Sequence, residues 1–476
     1  MKNILVAGAS GYVGSRLVPR LADRGYRVRC LARNPDALKH RGWSNVEVVY
    51  GNSLEPDSLL HAMTGMDFAY YLIHAMGSAG NFQDIDQQSA RNFTEAAKAA
   101  GLKRIIYLGG LSADSESLSE HLRSRQEVGQ ILRESGIPVT ELRASIIIGS
   151  GSASFAIIKD LAKKLPVMIT PRWVQSRCQP IAIRDVLQYL IGVLDHAETA
   201  GDIFDIGGSE ILTYREMIEQ VGEIMDRKII IIDVPVLTPH LSAYWLNLVT
   251  SVPMNIAFPL VEGLRNDTVC RDHRIDALIS FEKTPFREAV RRALAKEGNK
   301  NIESSWTGAS SGKTAAFPAA DEKLLLDKQM IHCKCSGTEI FDRIRQIGGE
   351  TGWYYANWIW QLRGIMDRLI GGVGMRRGRR HPHDLHVGDA LDFWRVEQFI
   401  PGDRLRLRAE MKLPGTAWLE FRVEKESDLT CIFHQTAIFR PSGWFGYLYW
   451  YTLAPAHFFI FRNMARRIAC GKGNTV

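Results

Sequence analysis

Residues Ile4-Leu5-Val6-Ala7-Gly8-Ala9-Ser10-Gly11-Tyr12-Val13-Gly14 carry a short apolar run straight into glycines at 8, 11 and 14. Ile4–Ala7 reads as a buried parallel strand and residues 15–24 as the helix after it. Strand, glycine turn and helix together form the setting that a dinucleotide-binding fingerprint requires. Gly8 allows the tight turn, Gly11 lets the backbone approach a pyrophosphate, and Gly14 lets helix and strand pack closely. The free amides at the helix start face the phosphate. Ser10, Tyr12 and Val13 complete the set expected to hold the pyrophosphate, the alternative being a glycine loop without a ligand.

The next strand, residues 26–31 (Tyr-Arg-Val-Arg-Cys-Leu), ends in Ala32-Arg33-Asn34-Pro35. An acid about twenty positions after the glycines would bond the ribose 2′-hydroxyl of NAD. Arg33 stands there instead, with no Asp or Glu before Asp36. A guanidinium can pair with a 2′-phosphate and stack on adenine. The reading favours NADP(H) over NAD(H), against the alternative of a solvated loop arginine.

Strand and helix patterns go on alternating to about residue 150. Strands are expected at 46–50, 67–73, 104–108 and 139–148, with helices at 57–63, 86–100 and 122–135. Such alternation implies right-handed crossovers and a doubly wound parallel sheet of Rossmann type, an α/β fold. Ser10, Arg33, Asn52, His74 and Ser112 all fall at carboxyl ends of strands, where ligands bind in such sheets. Asn52 is expected to approach adenine, and His74 with Ser112 to line the nicotinamide end.

A chain of 476 residues, 46% hydrophobic and 23% charged, is too long for one ordinary core and is composed like a soluble globular protein. A net charge of +7 is modest at this length and decides little about partners. Seven scattered cysteines suggest no disulfide framework, and Cys333-Lys334-Cys335 reads as strand alternation rather than half of a metal clip. Lys2 leads directly into the first strand without a secretory signal, which gives a cytoplasmic expectation.

The expected domains are 1–295, with a substrate-side lobe from about 151, a linker at 296–320, and 321–476. In the lobe, residues 234–264 are apolar and aromatic, and their prolines argue against a transmembrane helix. A lid over an apolar pocket, a membrane-facing surface and ordinary core remain open readings there. Residues 297–320 turn small and polar, as a linker does. Beyond them, alternation at 386–398, 404–413, 417–425 and 430–440 predicts antiparallel strands, followed by a helix at 444–468. The second domain is therefore expected to be α+β, a curved antiparallel sheet closing on a long helix.

The fingerprint, Ser112 and the segment Ser119-Glu120-His121-Leu122-Arg123-Ser124-Arg125 together resemble the extended and atypical short-chain dehydrogenase/reductase superfamily, across about residues 1–295. That resemblance implies a Ser with Tyr-x-x-x-Lys, in which Tyr donates a proton and Lys lowers its pKa and holds the nicotinamide ribose. The matching spacing here holds His121 and Arg125, four apart on one helix face. Arginine can hold the ribose but stays charged and cannot tune a donor as lysine does. Histidine can act as an acid near neutral pH. His121, Arg125 and Ser112 are thus the catalytic candidates.

Further wording (Tyr107-Leu-Gly-Gly-Leu, Leu142-Arg-Ala-Ser-Ile-Ile-Ile-Gly, Ile347-Gly-Gly-Glu-Thr-Gly-Trp-Tyr and Gly388-Asp-Ala-Leu-Asp-Phe-Trp-Arg-Val) looks like a bacterial, NmrA-like subgroup that fuses an NAD(P)-binding domain to a domain of unknown function. The second domain is similar in pattern to helix-grip proteins related to polyketide cyclases and lipid-transfer domains, whose cavity suits a hydrophobic ligand. The resemblance implies an NADP(H)-dependent oxidoreductase acting on a hydrophobic carbonyl, enone or quinone. A non-catalytic NADPH-binding redox sensor or assembly factor is the alternative, supported by the missing Tyr-x-x-x-Lys.

Three features receive plainer readings. Arg376, Arg377, Arg379 and Arg380 lack interleaved aromatics, so nucleic acid is not expected and a solvated or anion-binding loop is. His381, His383, Asp384 and His386 complete no zinc pattern, and no metal is expected. Residues 444–461 carry no formal charge, and a core-facing helix explains them, with peripheral membrane contact the minority reading.

Overall fold

The computed structural model describes residues 2–39, 41–74, 82–111, 119–234, 249–252, 254–263, 266–299, 302–306, 317 and 323–471. It divides into two compact units, Met1–Gly312 and Lys313–Val476.

The first unit is built on β1 (Asn3–Ala7), β2 (Arg27–Ala32), β3 (Val46–Tyr50), β4 (Phe68–Tyr71), β5 (Arg104–Gly110) and β6 (Val139–Ala144). With Ile203–Ile206 they form a seven-stranded sheet in the order Ile203–Ile206, β6, β5, β4, β1, β2, β3. Every pairing in it is parallel. Both faces are covered, so the inner strands are near-continuous apolar runs, and Ile4–Ala7 are fully buried. The helices that matter for the site are α1 (Gly14–Asp23), α2 (Asp36–Lys39), α3 (Pro56–Met63), α4 (Phe82–Ala99) and α5 (Glu120–Arg133).

Strand order reverses at β1. The chain winds outward to β2 and β3 on one side and to β4, β5 and β6 on the other. The crevice at the carboxyl ends of β1 and β4 is therefore the place where such a sheet binds a ligand. One expectation fails nearby. The strand expected over 139–148 stops at Ala144, and Ile147–Ile148 leave the sheet to pair with Ile181–Ala182. The chain turns away at Ser145, whose hydroxyl bonds that of Thr268 at 2.7 Å. Residues 302–306 return to this unit, where Ser304 donates to the Tyr12 carbonyl at 2.9 Å.

The second unit is a six-stranded antiparallel sheet in the order Leu325–Cys333, Cys431–Pro441, Gly415–Lys425, Arg404–Ala409, Trp394–Ile400, Ala390–Leu391. A bulge between Val396 and Gln398 interrupts its register. The helix Gly443–Cys470 packs on the strands Leu325–Cys333 and Cys431–Pro441. Leu325–Cys333 was not expected from sequence, because this edge strand is polar along much of its length and only Cys333 in it is buried. The stretch expected as one strand over 386–398 is instead a short hairpin turning at Asp392, which takes a positive φ of 53°. Cys333 ends its strand opposite Cys431, and the alternation of covered and exposed residues runs on through Lys334 to Cys335, just past the strand.

Two further expectations are overturned here. The arginine run is not a solvated anion site, since acids from neighbouring elements reach it. Arg377 and Arg395 share the buried Glu410, the latter at 2.9 Å. Arg380 pairs with Asp389 at 3.1 Å and Asp384 at 2.8 Å, while Arg379 donates to the Ile347 carbonyl at 2.7 Å. Burial pushes the Glu410 carboxyl up, but the charges and hydrogen bonds of Arg395 and Arg377 outweigh it and bring it down to about 2. Secondly, the aromatic half of Gly443–Cys470 meets the core along one side only, where Trp450 stacks on Phe439 at 5.6 Å, while Trp444, Phe445, Tyr447, Leu448 and Tyr451 are exposed. Apart from Gly446, its buried residues run only from Ile460 to Ala469.

Candidate functional site

The crevice between β1 and β4 is closed from below by glycine packing. Gly8 sits at φ +93°, and a Cβ there would lie 2.5 Å from the Leu72 carbonyl oxygen. A Cβ on Gly14 would lie 2.3 Å from the Gly8 oxygen, so only glycine lets α1 start this close to the strand. Gly11 donates its amide to the Gly8 carbonyl at 3.0 Å and completes the turn. Val13 caps α1 without a side-chain hydrogen bond, and the first turn holds no acid. The positive end of the helix is thus left for an anion, which fits a dinucleotide pyrophosphate at Ser10–Gly14.

The Tyr12 ring turns away from the glycine turn. Its side chain is buried beneath Arg16, whose guanidinium lies 4.2 Å from the ring centroid, and against Gly149. Arg16 donates to the carbonyls of Tyr12 at 3.1 Å and Ser150 at 2.8 Å, and to Ser304. Arg33 follows β2 on the same edge of the sheet and is exposed. Asn52 follows β3, where its amide donates to Glu55 at 2.8 Å and its carbonyl accepts from the Leu54 amide at 3.2 Å. That Asx turn leads the chain into α3.

The other half of the crevice is polar and buried. His74, after β4, has Nδ1 2.8 Å from Oδ2 of Asp86 on α4. Its Nε2 lies 3.2 Å from Nδ1 of His121 in the first turn of α5. Ser124 donates to the same Asp86 oxygen at 3.1 Å. Three elements thus converge in one chain, Asp86–His74–His121. Arg125 donates to the Leu108 carbonyl at 3.1 Å, and its own carbonyl accepts from Tyr107 at 3.0 Å. Ser119 caps α5, and the apolar helix Met254–Gly263 packs on α5 with Gly263 beside Ser119 and Leu122. Ser112 lies outside the described residues.

Electrostatics keep both rings neutral. Burial lowers the His121 pKa well below the ordinary histidine value, helped by the charges of His74 and Arg125. Burial and Arg125 also lower that of His74, against the raising effect of Asp86. A carboxylate only accepts, so His74 donates its Nδ1–H to Asp86, and Nε2 of His74 accepts from Nδ1–H of His121. In a neutral His121 that leaves Nε2 as a lone pair at the end of the chain.

Sequence reasoning did not single out Asp86 or Ser124. The signal was periodic: Asp86 stands one turn before Ser89 and Ala90 and two before Phe93 on the buried stripe of α4, whereas Asp84 is exposed. An acid on an apolar helix face needs a partner.

Residues 8–164 match the NAD(P)H-binding family, and residues 320–464 match a protein family of unknown function, DUF2867. The (4-alkanoyl-5-oxo-2,5-dihydrofuran-3-yl)methyl phosphate reductase of Streptomyces griseus is 28% identical over 231 residues, which are 47% of this chain and 74% of that one. The photosystem II assembly factor Ycf39 of Cyanophora paradoxa is 31% identical over 141 residues, 29% of this chain and 43% of its own length. Among solved structures, the Citrobacter sp. triphenylmethane reductase complexed with NADP(H) superposes with a TM-score of 0.51 at 20% identity, over 61% of this chain and 100% of that one. The first unit thus has a Rossmann-type fold whose first half carries the NAD(P)H-binding match, and the DUF2867 match falls within the second unit.

Proposed function

We propose that the first unit reduces a hydrophobic carbonyl, enone or quinone compound at the expense of NADPH. The observation that carries this reading is the Asp86–His74–His121 chain beside the uncapped start of α1. The bound nicotinamide supplies the hydride. Gly8, Ser10, Gly11, Tyr12, Val13 and Gly14 would hold the pyrophosphate, and Arg33 the 2′-phosphate that separates NADPH from NADH. Asn52 would sit at the adenine end.

His121 exchanges the proton that accompanies the hydride. Its neutral form, with Nε2 bare, takes a proton from a hydroxyl in the oxidation direction. Once protonated, it donates that proton to the carbonyl oxygen in reduction, and His74 with Asp86 steadies the resulting charge. Arg125 is held against β5 by the Leu108 carbonyl and adds positive charge beside the two histidines. Because burial keeps His121 deprotonated, reduction speeds up as pH falls toward the histidine pKa.

Purified full-length protein mixed with NADPH and a panel of hydrophobic aldehydes, ketones, enones and quinones tests the reading by loss of reduced-nicotinamide absorbance. Oxidation with at least one apolar acceptor is expected. Tight NADPH binding with no turnover across the panel would favour the second reading, a cofactor-bound sensor or assembly factor. The replacement of Tyr-x-x-x-Lys by His121 and Arg125 is the observation on its side.

A further inference from the structure

The second unit places apolar side chains where a soluble surface is normally polar. Along the helix Asn357–Leu369, the outward face carries Trp358 (66% exposed), Leu362, Ile365, Met366 and Leu369 (64%). The buried residues of the same helix are Trp360, Gly364 and Asp367. The long helix Gly443–Cys470 exposes Trp444 (65%), Phe445, Tyr447, Leu448, Tyr451 (64%), Phe458 and Phe459. The two helices meet at their buried sides, where Phe461 lies 6.2 Å from Trp360, and the exposed Phe459 packs edge-on at 5.7 Å against Tyr355, just before Asn357–Leu369. Exposed apolar patches of this extent mark an interaction surface.

Charge decides the occupant. Neither helix exposes an acid: Gly443–Cys470 contains none, and Asp367 is buried with the amides of Gly374 and Lys412 on its carboxylate. Basic residues border the aromatics instead, with Arg462, Arg466 and Arg467 exposed in the last turns of the long helix and Arg363 and Lys412 beside the other. Arg462 lies over the Phe458 ring at 5.6 Å and Arg467 over Tyr355 at 5.3 Å. A two-fold pairing of this face with itself would bring arginine rows together with no carboxylate to answer them. Tryptophan and tyrosine with an arginine border is the chemistry of a helix lying in the headgroup region of an anionic bilayer.

We infer that this face of the second unit docks on an anionic lipid surface. It lies on the bilayer rather than crossing it, because no helix among the described residues is long and apolar enough to span one. The inference stands apart from the hydride chemistry, which concerns the other unit.

Co-sedimentation of the full chain with phosphatidylcholine vesicles, and with vesicles also containing phosphatidylglycerol, tests it. Binding to the mixed vesicles is expected, weakening with added salt. Trp358→Ser, Trp444→Ser and Phe445→Ser together should lower that binding about tenfold or more. Arg462→Gln and Arg466→Gln should each lower it about fivefold while leaving the apolar face intact, which keeps the test decisive if the triple variant misfolds. Equal binding to both vesicle types, no binding to either, or indifference to all five substitutions would overturn the inference. So would a dimer in solution that the triple variant converts to monomer, since a second copy would then own the face.

Discussion

Both units bury charge, and they do so to opposite ends. In the second, Glu410 is enclosed by Arg377 and Arg395, and Arg380 by Asp389 and Asp384, so each buried charge is answered by its neighbours. In the first, the buried Asp86 is hydrogen-bonded to His74 and His74 to His121, so its charge is met by a line of neutral rings rather than by a cation. A closed network stabilises a fold. An open one places a proton acceptor where a ligand lies. The comparison teaches that burial of a charge says little about function until the end of its chain is traced.

The comparison breaks most visibly at Glu410. Glu410→Ala leaves Arg377, Arg395 and Arg408 facing one another without their shared acid, and about 3–5 kcal/mol of stability should go, read by denaturant unfolding. NADPH binding to the first unit should persist wherever the protein is folded. Gly14→Val comes next: its side chain must displace the Gly8 carbonyl, costing about 1–3 kcal/mol and abolishing NADPH binding in a titration.

Acid separates the two networks by pH. His121 and His74 have folded pKa values below the unfolded one, so the unfolded chain binds more protons and stability falls as pH drops below about 6.5. Glu410, held down to about 2, contributes stability that is present above its unfolded pKa and lost as pH falls from about 4.5 toward 2. Hydrogen exchange should therefore loosen α4 and α5 first on acidification. The strands carrying Arg395 and Glu410 should hold to lower pH. Simultaneous loosening of both would contradict the assignment. The smallest effect is expected at Arg33→Ala, which should weaken NADPH by about tenfold and leave NADH nearly unchanged in parallel titrations.

The parallel sheet was legible because its strands are unbroken apolar runs ending in glycine or polar turns, and the fingerprint showed where the crevice opens. His74 and His121 were legible as separate residues. That they touch was not, because they stand 47 positions apart with α4 and β5 between them. The second unit was harder to read. The edge strand Leu325–Cys333 lacks an apolar face to announce it, and Glu410 gives no sign in sequence of the three arginines it gathers. The uncharged aromatic helix misled for a related reason: apolar composition does not say which side of a helix meets the core.

The central claim is that the chain from Asp86 to His121 moves a proton rather than holding the fold. It is tested most directly by measuring NADPH binding and NADPH oxidation side by side for Asp86→Asn, using an acceptor that the wild type reduces. Binding within about twofold of wild type with turnover lowered about a hundredfold or more is the predicted result. Turnover equal to wild type would contradict it.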